Sequence, residues 1–139
     1  MSDRVFFDTN ILVYAFDKGE LRKHKIAFDL VTQGYQTQNA VISAQVLKEF
    51  FVTVTQKTAK KMSQKAAEQA VRDFALWTVV ETSVTLVIEG IAIHRKQQVS
   101  FWDAMIVAAA KESHCPVILS EDMSHDSVIE NIRITNPFL

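Results

Sequence analysis

Apolar residues run along this chain in two rhythms. Short blocks (Val5–Phe7, then the middle of "QNAVIS", "WTVVE", "PVIL" and "NIRIT") alternate with longer stretches whose apolar positions recur every three or four residues. The short blocks predict strands and the longer stretches predict helices. Asp8, Thr9 and Asn10 break the pattern after the first strand. Ile11, Leu12, Val13, Tyr14 and Phe16 resume it as the start of a helix, for which Asn10 is a suitable N-cap. Leu21, Ile26, Phe28, Leu30 and Val31 give residues 21 to about 34 helical spacing. Ser43 is placed to cap a helix over "AQVLKEFFVTVTQK", and further helices are expected over residues 63–76, 84–97 and 101–114. No linker, repeat or low-complexity segment interrupts the alternation.

Strands separated by helices of about 10 to 15 residues mark βαβ units, hence an α/β fold with a parallel sheet covered on both faces. Ligands of such sheets collect outside the carboxyl ends of the strands. Asp8 follows the first strand, and Ser120, Glu121 and Asp122 follow "VIL", so acidic groups far apart in sequence are expected at one edge of one sheet. At 139 residues the chain has the usual size of one domain, expected to span residues 1–139.

Composition adds three constraints. A 48% hydrophobic content with only 3 Gly and 2 Pro supports a sizeable core and argues against disorder. A formal net charge of −1 excludes a globally basic nucleic-acid binder. Phosphate contacts would have to come from local clusters such as Arg22, Lys23 and Lys25, or Lys57, Lys60, Lys61 and Lys65. The single cysteine, Cys115, permits neither an internal disulfide nor a thiolate metal cluster and is expected to be a buried thiol. The amino-terminal stretch lacks the segments of a signal peptide, and no window has the apolar length of a membrane span. A soluble, cytoplasmic protein is therefore expected.

Two further carboxylates change the picture. In "VSFWDAMIVAAAKESH", Ser100 and Asp103 fit an S-x-x-D capping box. The helix is apolar nearly all round, so its first turn directs Asp103 into the protein, where an ionised carboxylate needs a basic residue or a metal as partner. No basic residue is adjacent in sequence. Glu49 falls with Gln45, Thr53 and Gln56 on the polar side of its helix, opposite Leu47, Phe50, Phe51 and Val54. It reads as solvated unless that side faces a cleft. Asp8, Glu49, Asp103 and Asp122 make a hard, all-oxygen set suited to Mg²⁺ or Mn²⁺. His24, His94, His114 and His125 show no ligand spacing, and there is no Gly-rich phosphate loop or G-x-S-x-G elbow.

Four blocks, "FFDTNILVYAFD", "SAQVLKEFFVTVT", "SFWDAMIVAAA" and "ILSEDMSHD…IENIRITNPF", resemble in this order a PIN domain, specifically a toxin ribonuclease of the VapC type. The likeness covers essentially the whole chain. It implies a three-layer α/β/α fold with a central, mainly parallel sheet flanked by helices. It also implies an endoribonuclease site in which Asp8, Glu49, Asp103 and Asp122 are catalytic and hold Mg²⁺ or Mn²⁺, with Asn10 and Ser120 as polar supports. RNA as substrate, a VapB-like antitoxin and a homodimer follow from the same resemblance. Glu121 precedes the matched acid and is not expected to be a ligand. Asp126 departs from the pattern, since such proteins often carry glycine there; it reads as a turn residue, with an added ligand as the alternative.

Elementary chemistry agrees with that implication, because a carboxylate-held divalent ion can bind a phosphate oxygen, generate hydroxide and stabilise the leaving oxygen. Two other readings start from the same residues. "DTN" after a strand resembles the nucleophile loop of haloacid-dehalogenase-type phosphatases, although Asn10 stands where those enzymes usually carry a second Asp. The other is a non-catalytic RNA-binding or receiver-like module. Against it stand the intact carboxylate set and the lack of a lysine closing the last strands.

Overall fold

Phe6, Ile42, Ile118 and Ile134 are wholly buried, as the middle of a sheet covered on both faces requires. The computed structural model describes residues 3–139. Its elements are β1 (Val5–Phe7), α1 (Thr9–Tyr14), α2 (Leu21–Thr37), β2 (Ala40–Ser43), α3 (Ala44–Gln56), α4 (Gln64–Phe74), β3 (Thr78–Val80), α5 (Val84–Gln97), α6 (Phe101–Glu112), β4 (Val117–Leu119), β5 (Val128–Ile129) and β6 (Ile132–Thr135). The strands form one sheet in the order β3-β2-β1-β4-β6-β5. All pairings are parallel except that of β5 with β6. Helix α6 packs on β2, β4 and β6 and is covered by α5, while α1, α2, α3 and α4 pack among themselves. The result is the expected three-layer α/β/α arrangement. Among the described residues no helix is long and apolar enough to cross a membrane.

Topology places the site. From β1 the chain moves outward through β2 to β3, then returns to lay β4 on the other side of β1. The order therefore reverses between β1 and β4, and a crevice opens at their carboxyl ends.

Several local expectations are corrected. Asp8, not Asn10, caps α1: its backbone is extended and its side chain accepts from Thr9 N–H at 2.8 Å. The helix thus starts two residues earlier, at Thr9, and the Asn10 side chain is released from capping for other bonds. Helix α2 passes through Gly34, because that glycine serves close approach rather than termination. A Cβ there would lie 2.9 Å from Ala40 Cβ and 3.0 Å from the Trp77 ring. Gln38, in the left-handed region at φ 58°, ends the helix instead. Strand β5, two residues long, is too short to carry a periodic signal in the sequence; it turns into β6 through Glu130 and Asn131, both at positive φ as a two-residue hairpin loop needs. Helix α6 is buried from Ala104 to Ala110, yet Trp102 in its first turn is 64% exposed, so the helix, though apolar nearly all round, is not buried all round.

Candidate active site

Asp8 leaves β1 with its backbone N–H bonded to Leu119 O at 2.9 Å, which ties it to the end of β4. Only 7% of the residue is exposed. One carboxylate oxygen, Oδ1, accepts from Thr9 N–H; the other, Oδ2, accepts from the Ser120 hydroxyl at 2.7 Å and from the Asn10 amide at 3.4 Å. Ser120 is fully buried, and its Oγ also accepts from the N–H groups of Asp122 and Met123, each at 3.2 Å. One hydroxyl therefore both holds Asp8 and folds the turn carrying Asp122.

Asn10 completes the link. Its Nδ2 donates to Asp122 Oδ2 at 3.2 Å as well as to Asp8, and its Oδ1 accepts from Glu121 N–H at 3.0 Å. Two acids 114 positions apart in sequence, by their numbers, thus share a single amide. The exposed Glu49 accepts from Thr9 Oγ1 at 3.0 Å and from Gln45 Nε2 at 3.4 Å. With Gln45, Lys48, Val52 and Thr53 it forms the side of α3 that looks into a cleft of about 720 Å³, which settles how its polar side is used. Asp103, half-buried in the first turn of α6, lines the same cleft, as do Asp8 and Asp122. Its N–H bonds the Ser100 hydroxyl at 3.1 Å, so the serine half of the expected capping box is present.

Electrostatics set these acids apart. Burial pushes the Asp8 pKa up from 3.8 to about 6, against the hydrogen bonds from Ser120 and Thr9, and the charges of Glu49 and Asp122 add to the rise. Burial also raises Asp103, hydrogen bonding from Ser100 opposes it, and Asp122 contributes repulsion. Among the described residues none of Asp8, Glu49, Asp103 and Asp122 forms an ion pair, whereas Glu121 in the same cleft is paired with Lys23 and accepts from Tyr14 OH at 2.8 Å. Among the described residues no group of three or more His, Cys, Asp or Glu side chains is arranged, as the side chains stand, so that it could hold a metal ion.

Other expected residues lie elsewhere. Asp126 does not line the cleft; it sits at φ 63° and approaches His125 at 3.4 Å and Arg133 at 3.7 Å. That left-handed backbone is the physical reason a glycine suits the position. Lys23 is engaged by Glu121, and Arg22 donates to the Phe138 carbonyl. Of the basic clusters only Lys57 reaches the cleft, joined there by Lys48, which sequence reasoning did not single out. Trp102 and Asp17 were missed too. Trp102 immediately precedes Asp103, a signal that was available; Asp17 already uses Oδ1 to accept from Gly19 N–H.

Fold and site together describe an α/β protein whose switch-point crevice gathers carboxylates from β1, α3, α6 and the turn after β4. A PIN domain model matches residues 5–130, and the chain belongs to the PIN domain family. Family membership sets aside the phosphatase and receiver readings. Among solved structures it is similar to VapC20 of Mycobacterium tuberculosis, described as a sarcin–ricin loop cleaving toxin, with 18% identity, 85% of this chain and 89% of that one covered, and a TM-score of 0.62. It is also similar to a DNA-bound VapBC from Salmonella typhimurium (18% identity, 98% and 99% covered, TM-score 0.68) and to a toxin–antitoxin complex from Klebsiella pneumoniae (19%, 96% and 97%, 0.65). At these identities the likeness is one of fold. No curated protein matches the sequence.

Proposed function

We propose that this chain is a Mg²⁺- or Mn²⁺-dependent endoribonuclease of the VapC toxin type. The observation that carries this reading is the contrast within the cleft: Glu121 has its cation, while Asp8, Glu49, Asp103 and Asp122 have none among the described residues. Buried or clustered carboxylates without a counter-charge are costly. Their donors are all oxygen, and Mg²⁺ is commonly held by one or two carboxylates plus water and substrate phosphate rather than by a closed protein cage. Asp8 and Asp122, which share the Asn10 amide, and Asp103 are the residues that would hold the ion, with Glu49 at the rim. When bound, such an ion activates water and stabilises charge on the phosphodiester oxygens.

The chain's own groups perform the positioning. Ser120 and Asn10 fix the rotamers of Asp8 and Asp122, and Thr9 and Gln45 hold Glu49 toward the cleft. The reading extends to a VapB-like antitoxin and a second copy as partners. Two apolar surfaces support it: Val84, Ile88 and Ile91 on α5, and Phe16, Phe28, Tyr35 and Leu76 around a second cleft.

The test is RNA cleavage with millimolar Mg²⁺ or Mn²⁺ and with chelator. Asp103→Asn is expected to fold and to lose at least roughly a hundredfold in cleavage rate, because metal-centred stabilisation supplies several kcal/mol. A folded Asp103→Asn with near-normal cleavage, or cleavage indifferent to chelator, contradicts the assignment.

A further inference from the structure

Trp102 is the unexplained residue of the cleft. Large aromatic side chains are normally highly buried, yet this one is 64% exposed, next to the half-buried Asp103. Phe101 meets the indole edge-on at 5.3 Å and 69°, and Gln45 from α3 donates to the Trp102 carbonyl at 3.4 Å. The indole lines the same cleft as the carboxylates and two lysines of α3 and its C-cap, Lys48 and Lys57, neither of which is ion-paired among the described residues. These lysines are separated by about 13 Å along the helix axis, a span that suits an extended chain better than a mononucleotide.

We propose that Trp102 is a stacking platform for an unpaired nucleobase of single-stranded RNA, whose phosphates run toward Lys48 and Lys57. The inference rests on the ribonuclease reading and names the form of substrate that site accepts. An aromatic face beside a cationic track is the general means of gripping single strands, because every base has a π-face while only a single strand leaves it free. The polar residues that line the cleft with Trp102, among them Gln45, Lys48 and Asp103, suit a charged ligand better than an apolar protein surface. Stacking on Trp102 places the adjoining phosphate beside Asp103, so the platform selects the bond presented to the acids.

The two tryptophans make the test direct, since Trp77 is buried against Phe7 and Phe74 while Trp102 is exposed. The full chain carrying Asp8→Asn, to prevent cleavage, is titrated with a single-stranded RNA of about ten nucleotides, the same strand with abasic riboses, and the same sequence as a duplex. The single strand is expected to quench the exposed indole, the abasic strand to bind through phosphates without quenching, and the duplex to bind least. Trp102→Leu should weaken single-strand binding roughly tenfold, with Trp102→Phe recovering most of it, whereas Lys57→Gln should weaken both single strands and reduce the salt dependence. In the chain with Asp8 intact, Trp102→Leu should raise KM more than it lowers kcat.

Equal affinity for the abasic strand, or indole emission that follows protein concentration rather than RNA, overturns the proposal; the second result assigns Trp102 to an interface between copies. Cleavage that ignores Trp102 overturns the stacking alone. Absence of both binding and cleavage overturns the ribonuclease reading with it.

Discussion

Asp8 carries most of the tension at the residue scale, because the same side chain caps α1, ends β1 and faces two other acids. The sequence showed the carboxylate and its strand-end position but favoured Asn10 as the cap. Only the fold reveals that Asn10 is spent on joining Asp8 to Asp122. The raised pKa has a definite sign. With an unfolded value of 3.8 and a folded value of about 6, both states are protonated at low pH and Asp8 imposes no penalty there. Between the two values the unfolded chain ionises first, so stability falls, and above the folded value the penalty is complete at about 3 kcal/mol. Asparagine keeps an oxygen for the Thr9 N–H and removes the charge. Metal-free Asp8→Asn is therefore expected to exceed the wild type by about 1–3 kcal/mol at pH 7, and the gain should fade toward pH 4. Urea midpoints at the two pH values measure it, and a variant less stable than wild type at pH 7 would show that capping outweighs charge.

Elements were legible where periodicity was long and ambiguous where one residue does two things. The α3 stripe emerged almost as read, with Val46, Phe50 and Val54 buried and Leu47 and Phe51 partly so, because amphipathic spacing over thirteen residues leaves little choice. Phe50 is wholly buried between Phe16 at 5.6 Å and Phe74 at 5.4 Å. Phe50→Ala should cost about 3–5 kcal/mol, read as a lowered denaturant midpoint; an unmoved midpoint would mean that the α1–α3–α4 packing does not depend on it. Gly34 looked like a helix end because glycine serves both termination and close approach, and only β2 and Trp77 on the other side decide between them. Gly34→Ala is expected to destabilise by about 1–3 kcal/mol through overpacking, although alanine is the better helix former. A thermally stabilised Gly34→Ala would indicate that β2 and Trp77 yield without strain.

For the whole molecule, the strand–helix alternation disclosed a parallel sheet and an active edge, while the strand order that brings β1 beside β4 came from the fold. The cleft wall formed by α3 was equally hidden, since no local pattern tells water from a crevice. A net charge of −1 likewise conceals how the acids are distributed: Asp8, Glu49, Asp103 and Asp122 meet in one cleft where no ion pair relieves them among the described residues. An ion bound by the native state alone stabilises it by mass action, by about 2.7 kcal/mol at a hundred times Kd. At this chain length that corresponds to a rise in Tm of roughly 5 to 15 °C. Mg²⁺ or Mn²⁺ is therefore expected to raise the wild-type Tm progressively with concentration, and chelator to reverse it. Asp8→Asn should start from a higher metal-free Tm and show a smaller shift, because the substitution removes both the repulsion and a donor to the ion. The two effects have opposite signs, which separates a metal site from a structural cap: loss of a cap lowers stability by about 1 kcal/mol and leaves any metal response unchanged. Melting curves of both proteins with chelator and with millimolar metal make the comparison. A less stable Asp8→Asn with an undiminished metal shift would reduce Asp8 to a turn residue.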